Sequence, residues 1–123
     1  MNRKIKMNED FKLDYYRMTG EHYKSGIKSI IRIIASHQIR FVRLWRKSKK
    51  RQTLIKRLRL LKYARKYGIE VSHDAEIGRG LYLGHPYNIT AGAGVKIGDN
   101  VNLHKGCTIG RENRGKRKGA PVI

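Results

Sequence analysis

The sequence holds a single cysteine, Cys107, and only two prolines and one tryptophan in 123 residues. One thiol excludes an internal disulfide and any cysteine cluster for zinc, in keeping with a reducing compartment. Acidic side chains are scarce, nine Asp and Glu against 29 Lys and Arg, which leaves a net charge of +20. Long apolar runs are missing as well. In the first half the longest strongly apolar window, Ile27 to Ile39, is broken by Lys28 and Arg32, far short of the roughly 20 apolar residues of a membrane span. The opening MNRKIKMNEDFKLDYY puts acidic and aromatic residues where a secretory signal needs its apolar core. These absences point to a cytoplasmic protein, with the inner membrane surface as the one membrane contact left open. The length leaves room for one modest domain and an appendage.

The charge is unevenly placed. Residues 1–67 carry 21 Lys and Arg against four Asp and Glu, and residues 68–123 carry eight against five. Two compositional regions therefore meet near Tyr67 and Gly68. A region as basic as the first is drawn to anionic surfaces such as phospholipid, nucleic acid or an acidic glycan.

Between Lys24 and Lys66 there is no proline and one glycine, Gly26. Apolar residues recur there at helical spacing: Ile27, Ile30, Ile31 and Ile34, then Leu54, Ile55, Leu58, Leu61 and Ala64. The pattern predicts at least two helices, with a break in RKSKKRQ, residues 46–52, and a stop at Gly68. The basic face has two readings. It is a solvated face on helices whose apolar stripe packs on the second half or on another subunit, which is the commoner use. Alternatively it binds a membrane surface or polyanion, with Phe41 and Trp45 as interfacial anchors. Nucleic acid is disfavoured, since no helix-turn-helix, zinc-finger or RNA-binding signature accompanies the charge.

The second half repeats. Aliphatic residues fall every six positions at Val71, Ile77, Leu83 and Ile89, and again at Ile97, Leu103 and Ile109 after a step lengthened by two residues across TAGAGVK. Glycine follows at Gly78, Gly84, Gly98 and Gly110, and Leu81, Ala93, Val101 and Cys107 hold the position four places on. Each hexad predicts one flat face of a triangular coil, its aliphatic side chain pointing inward and stacking on its equivalent one coil away. Glycine, Asn and Asp provide the positive φ that the corners require. Cys107 then sits inward as a structural thiol, because no positive helix terminus or adjacent base is expected beside it to activate a nucleophile.

The run IGRGLYLGHPYNIT, then IGDNVNLHKGCTIG and RENRGKRKGAPVI, resembles the serine O-acetyltransferase family and related sugar and capsular-polysaccharide O-acetyltransferases of the hexapeptide-repeat superfamily. The resemblance covers residues 68–123. It implies an α+β chain by segment: basic α-helices over 1–67, followed over 68–123 by the start of a left-handed parallel β-helix. Family members continue with two or more further coils, so the resemblance implies a solenoid cut short at its C-terminus. It further implies acetyl-CoA as co-substrate, a homotrimer with sites between adjacent solenoids, and transfer of acetyl to a hydroxyl of serine or of a sugar.

His85 falls where these enzymes place the histidine that deprotonates the acceptor hydroxyl. An alcohol is a poor nucleophile until a base takes its proton, and imidazole titrates near working pH. Glu70 matches a carboxylate that orients the imidazole or holds a substrate amine. The family's second carboxylate, immediately before the histidine, is replaced by Gly84. The loop GRENRGKRKGAP, residues 110–121, corresponds to one that reaches over the active site, and its Arg114, Lys116, Arg117 and Lys118 would meet coenzyme A phosphates or an anionic acceptor. Solvation of each of these four is an equal alternative. Serine enzymes carry an Arg-His pair near the end of that loop, where this chain has Lys118 and Gly119. No metal site is expected, because His73, Asp74, His85 and His104 lack helical ligand spacing. The alternative to an enzyme is a truncated, non-catalytic solenoid whose basic helices bind a membrane surface or polyanion.

Overall fold

The structure is a computed structural model and describes residues 8–123. The reading of the extreme N-terminus as no secretory signal rests in part on residues 1–7, outside the described residues. Four helices come first: α1 (Glu9–Thr19), α2 (Ile27–Ala35), α3 (His37–Lys50) and α4 (Leu54–Tyr67). The first, α1, lies within the expected helical region 1–67 but before Lys24, where the apolar period begins. Its start is set by Asn8, whose side chain accepts from the Asp10 and Phe11 amides, with Glu9 and Asp10 in the first turn where the helix dipole favours acid. The expected break falls at Arg51–Thr53, at the end of the basic cluster. Thr53 caps α4, and Gly68 ends it at φ 70° with its amide on the Ala64 carbonyl.

Gly68 is also a close approach. A Cβ there would lie 2.4 Å from Asn88 Oδ1, and the Asn88 amide donates to the Tyr67 carbonyl. The helical half thus passes directly into the solenoid through one turn that only glycine fits.

Seven short strands follow: β1 (Ile69–Val71), β2 (Glu76–Ile77), β3 (Tyr82–Gly84), β4 (Ile89–Ala91), β5 (Lys96–Ile97), β6 (Asn102–His104) and β7 (Thr108–Ile109). They form three parallel faces, β1-β4-β7, β2-β5 and β3-β6. Three strands close one coil, as the hexads require. Residues 121–123 continue the second face of a third coil, where Val122 bridges Lys96 of β5 in parallel and the Ile123 amide donates to the Lys96 carbonyl.

The register corrects the placing of the extra residues. Val71 pairs with Ala91, Ile77 with Ile97, Leu83 with Leu103, and Ala91 with Ile109. The inward beat therefore runs 71, 77, 83, 91, 97, 103, 109. Its one eight-residue step spans the β3–β4 corner, residues 85–88, and not TAGAGVK. Ala93 is accordingly exposed in a turn, and Val95 takes the inward place. Ile69, Leu83, Ile89, Val95 and Leu103 are buried in the coil, and Cys107 is half-buried against them.

Two expectations about the helices change. Phe41 and Trp45 are each only 2% exposed and lie in the core, so they are not interfacial anchors. They sit on the face of α3 that packs inward, where burying aromatic area outweighs any gain at an interface. The stripes Ile27, Ile30, Ile31 and Ile34 on α2 and Leu54, Ile55, Leu58 and Leu61 on α4 are not covered by the solenoid, which leaves another subunit as their expected cover. All eight are exposed. No described helix is long and apolar enough to cross a membrane.

Candidate active site

His85 stands in the enlarged corner between β3 and β4. Two extra residues lengthen that corner, and His85 (φ 45°) and Asn88 (φ 55°) both adopt left-handed backbone. Histidine and asparagine visit that region more readily than most residues, yet it costs free energy that the surroundings must offset. They do so with hydrogen bonds. The Tyr87 amide donates to the His85 carbonyl at 2.8 Å, the Gly106 amide to Tyr87 and the Lys105 amide to Gly84. Pro86 is buried beneath, while the His85 side chain is exposed.

A cluster that the sequence reading missed supports this corner from the helical side. His37 Nε2 lies 3.0 Å from the Pro86 carbonyl, its ring stacks on Tyr67 at 4.0 Å, and Tyr87 tilts against both. His37 opens α3 directly after Ser36, which is why it reaches the solenoid at all. Nothing in its helical spacing marks it as a contact to a residue 49 positions away.

Gly84 explains the missing carboxylate in steric terms. It pairs with His104 one coil on, and a Cβ at Gly84 would lie 2.4 Å from His104 Nδ1. A side chain at position 84 therefore requires the His104 ring to move.

Glu70 lies on β1, in register with Thr90, exposed on the outer face of β1-β4-β7. It opens into a groove of about 620 Å³ between α4 and that face, lined also by Arg57, Leu58, Leu61 and Thr90. Among the described residues no hydrogen bond or ion pair joins Glu70 to His85. The basic loop leaves the solenoid after β7 and is pinched by an antiparallel bridge, the Glu112 and Gly119 amides each donating to the other's carbonyl at 2.9 Å. Arg114, Lys116, Arg117 and Lys118 are all exposed. Because β7 runs parallel to β4, the loop emerges at the end of this face where β4 finishes, and His85 lies at the end where β4 begins. One chain holds them at opposite ends. Among the described residues no group of three or more His, Cys, Asp or Glu side chains is gathered to hold a metal ion.

The scaffold beneath is stapled by a buried ion pair. Arg46 on α3 donates through Nε and Nη2 to Asp14 on α1 at 2.8 and 3.0 Å, and through Nη1 to the Ile77 carbonyl at 2.7 Å. Asp14 also accepts from the Leu81 amide at 2.8 Å. Burial pushes the Asp14 carboxyl above its ordinary value, against the opposing pull of Arg46. In the sequence Arg46 looked like the first member of a surface charge cluster; its partner, on a helix before the apolar period begins, gave no local signal.

No protein-family model matches the chain. Curated relatives do. Serine acetyltransferase of Helicobacter pylori is 38% identical over 56 residues, 46% of this chain and 33% of that protein. Serine acetyltransferase of Staphylococcus xylosus is 42% identical over 52 residues, 41% of this chain and 24% of that protein. Among solved structures, Neisseria gonorrhoeae serine acetyltransferase superposes with a TM-score of 0.71 at 16% identity, covering 98% of this chain and 48% of that one. Soybean serine acetyltransferase complexed with serine gives 0.64 at 16% identity, over 91% of this chain and 46% of that one. The chain thus spans a half or less of each protein it matches, and the structural likeness extends through its helices. Sequence similarity to serine acetyltransferases over about half its length, together with their fold over nearly all of it, makes this a serine acetyltransferase-like chain.

Proposed function

We propose that the protein transfers acetyl from acetyl-CoA to a hydroxyl group, with His85 as general base, on a parallel β-helix that is left-handed as the resemblance implies. The observation that carries this reading is the enlarged corner, which spends left-handed backbone and a supporting aromatic cluster on presenting one imidazole outward. The imidazole takes the proton of the acceptor hydroxyl as its oxygen attacks the thioester carbonyl. The tetrahedral intermediate collapses by breaking the C–S bond, and the imidazolium returns the proton to the departing thiolate. Arg114, Lys116, Arg117 and Lys118 meet the phosphates of the donor or an anionic acceptor, and Glu70 steers the acceptor.

Since one chain keeps the loop and His85 at opposite ends of a face, a neighbouring copy brings its loop to this chain's His85, and the assembly is a homotrimer. The exposed Leu54, Leu58 and Leu61 beside Glu70 supply apolar surface for that contact. The acceptor is serine or a sugar hydroxyl; the absent second carboxylate and the absent Arg-His pair favour the sugar. The reaction takes place in the cytoplasm. A second reading, contact with the inner membrane surface, is favoured by the exposed isoleucines of α2 beside Lys28 and Arg32.

The test is release of free thiol from acetyl-CoA with serine and with candidate sugars, the acetylated product identified by mass. Acceptor-dependent release supports the reading. Release no faster with any acceptor than without would refute it.

A further inference from the structure

We propose that the groove between α3 and α4 binds a multiply charged phosphate anion, a pyrophosphate or a phosphate ester. The groove, of about 500 Å³, takes Arg40, Arg43 and Lys47 from α3. From α4 it takes Lys56, Arg59, Lys62 and Lys66. No Asp or Glu lines it, and among the described residues none of these seven pairs with a carboxylate.

Two of the seven are tied into the fold. Arg40 donates to the Tyr63 and Tyr67 hydroxyls, and Lys56 to the Lys47 and Arg51 carbonyls at the end of α3. The side chains of Arg43, Lys47, Arg59 and Lys62 make no hydrogen bond with any described residue. Arg43 Nε is moreover buried without a partner, a donor whose desolvation goes uncompensated in the absence of an acceptor. Lys47 shows the same strain electrostatically: burial, and then Arg43, Lys56 and Arg59, hold its pKa below 10.5. Ile33, Leu44, Tyr63 and Tyr67 line the same groove between these cations, which therefore repel one another across its walls.

Surface cations ordinarily spread apart. A concave, carboxylate-free cluster in which one guanidinium nitrogen, Arg43 Nε, is buried without a partner is an arrangement that a compact polyanion neutralises, guanidinium forks and ammonium groups together meeting phosphate oxygens. The site is separate from the loop assigned to the acetyl donor, none of whose residues lines it, and it stands whether or not acetyl transfer does.

The experiment uses the full chain. Inorganic pyrophosphate is titrated calorimetrically into the parent, into Lys47→Gln/Arg59→Gln, and into Lys24→Gln/Lys28→Gln, which removes equal charge from outside the groove. One-to-one binding, weakened about tenfold or more in the groove variant and within about twofold of the parent in the control, is expected. Cosedimentation with phosphatidylcholine vesicles, with and without phosphatidylglycerol, separates the sources of phosphate. Groove-dependent binding to the anionic vesicles without pyrophosphate binding assigns the site to a lipid headgroup; pyrophosphate binding assigns it to a soluble ligand. Equal losses in both variants, or no binding to either probe, overturns the proposal. Without ligand the groove variant should melt at or above the parent's temperature, because repulsion has been relieved. A lower melting temperature would contradict the strain on which the site is argued.

Discussion

Asp14 and Arg46, 32 positions apart, meet in a two-pronged ion pair with both side chains almost completely buried, 0% and 5% exposed. Between them they tie α1 and α3 to carbonyls and an amide of the first coil. Removing either partner leaves a buried charge alone, so Asp14→Ala or Arg46→Ala should each cost about 3–5 kcal/mol in urea unfolding, whereas the double change Asp14→Leu/Arg46→Met should cost markedly less than either. Additive losses would show that the pair does not act as a unit.

A carboxylate placed at position 84 should be harmful here. Gly84→Asp drives a Cβ to 2.4 Å from the His104 ring, which must turn aside, and the displacement should lower the melting temperature. Adding His104→Ala should recover much of that loss in thermal melts. If Gly84→Asp alone were neutral, the His104 ring would have turned aside freely.

Lys47 gives the protein an alkaline signature. Its pKa is lowered in the folded state by burial and then by Arg43, Lys56 and Arg59, so between that lowered value and 10.5 the unfolded chain holds the proton more fully than the folded one. Stability therefore rises with pH across this window. In Lys47→Gln the rise should shrink, as read from urea midpoints at stepped pH. An unchanged slope would count against repulsion in the groove.

Self-association should depend on α4. Leu58 is 55% exposed at the groove beside Glu70, and Leu58→Glu should shift sedimentation velocity toward the monomer with little change in melting temperature. Parent protein that is monomeric at all concentrations would remove the argument for a shared site.

The solenoid was legible because its chemistry is periodic. Aliphatic residues at six-residue spacing can bury themselves only by stacking, so face count and coil length followed from Ile77, Leu83, Ile97, Leu103 and Ile109. The longer corner was misplaced because Ile89 is also buried: two inward positions on β4 gave two phases for the beat, and backbone pairing alone chose Ala91. The helices were harder to read. Ile27, Ile30, Ile31 and Ile34 mark α2 by period, but period does not say whether a stripe is covered, and here it is exposed. Phe41 and Trp45 enter the sequence reading only as candidate anchors, and nothing in their spacing separates an interfacial aromatic from a buried one. His37 and Arg46 owe their roles to partners 49 and 32 positions away, a distance over which local pattern carries no information.

The most direct test of the central claim replaces His85. With the full chain and an acceptor that supports thiol release, His85→Ala should lower kcat by about 10²–10⁴-fold while circular dichroism and melting temperature stay close to the parent's. An unchanged rate in His85→Ala would contradict His85 as the base.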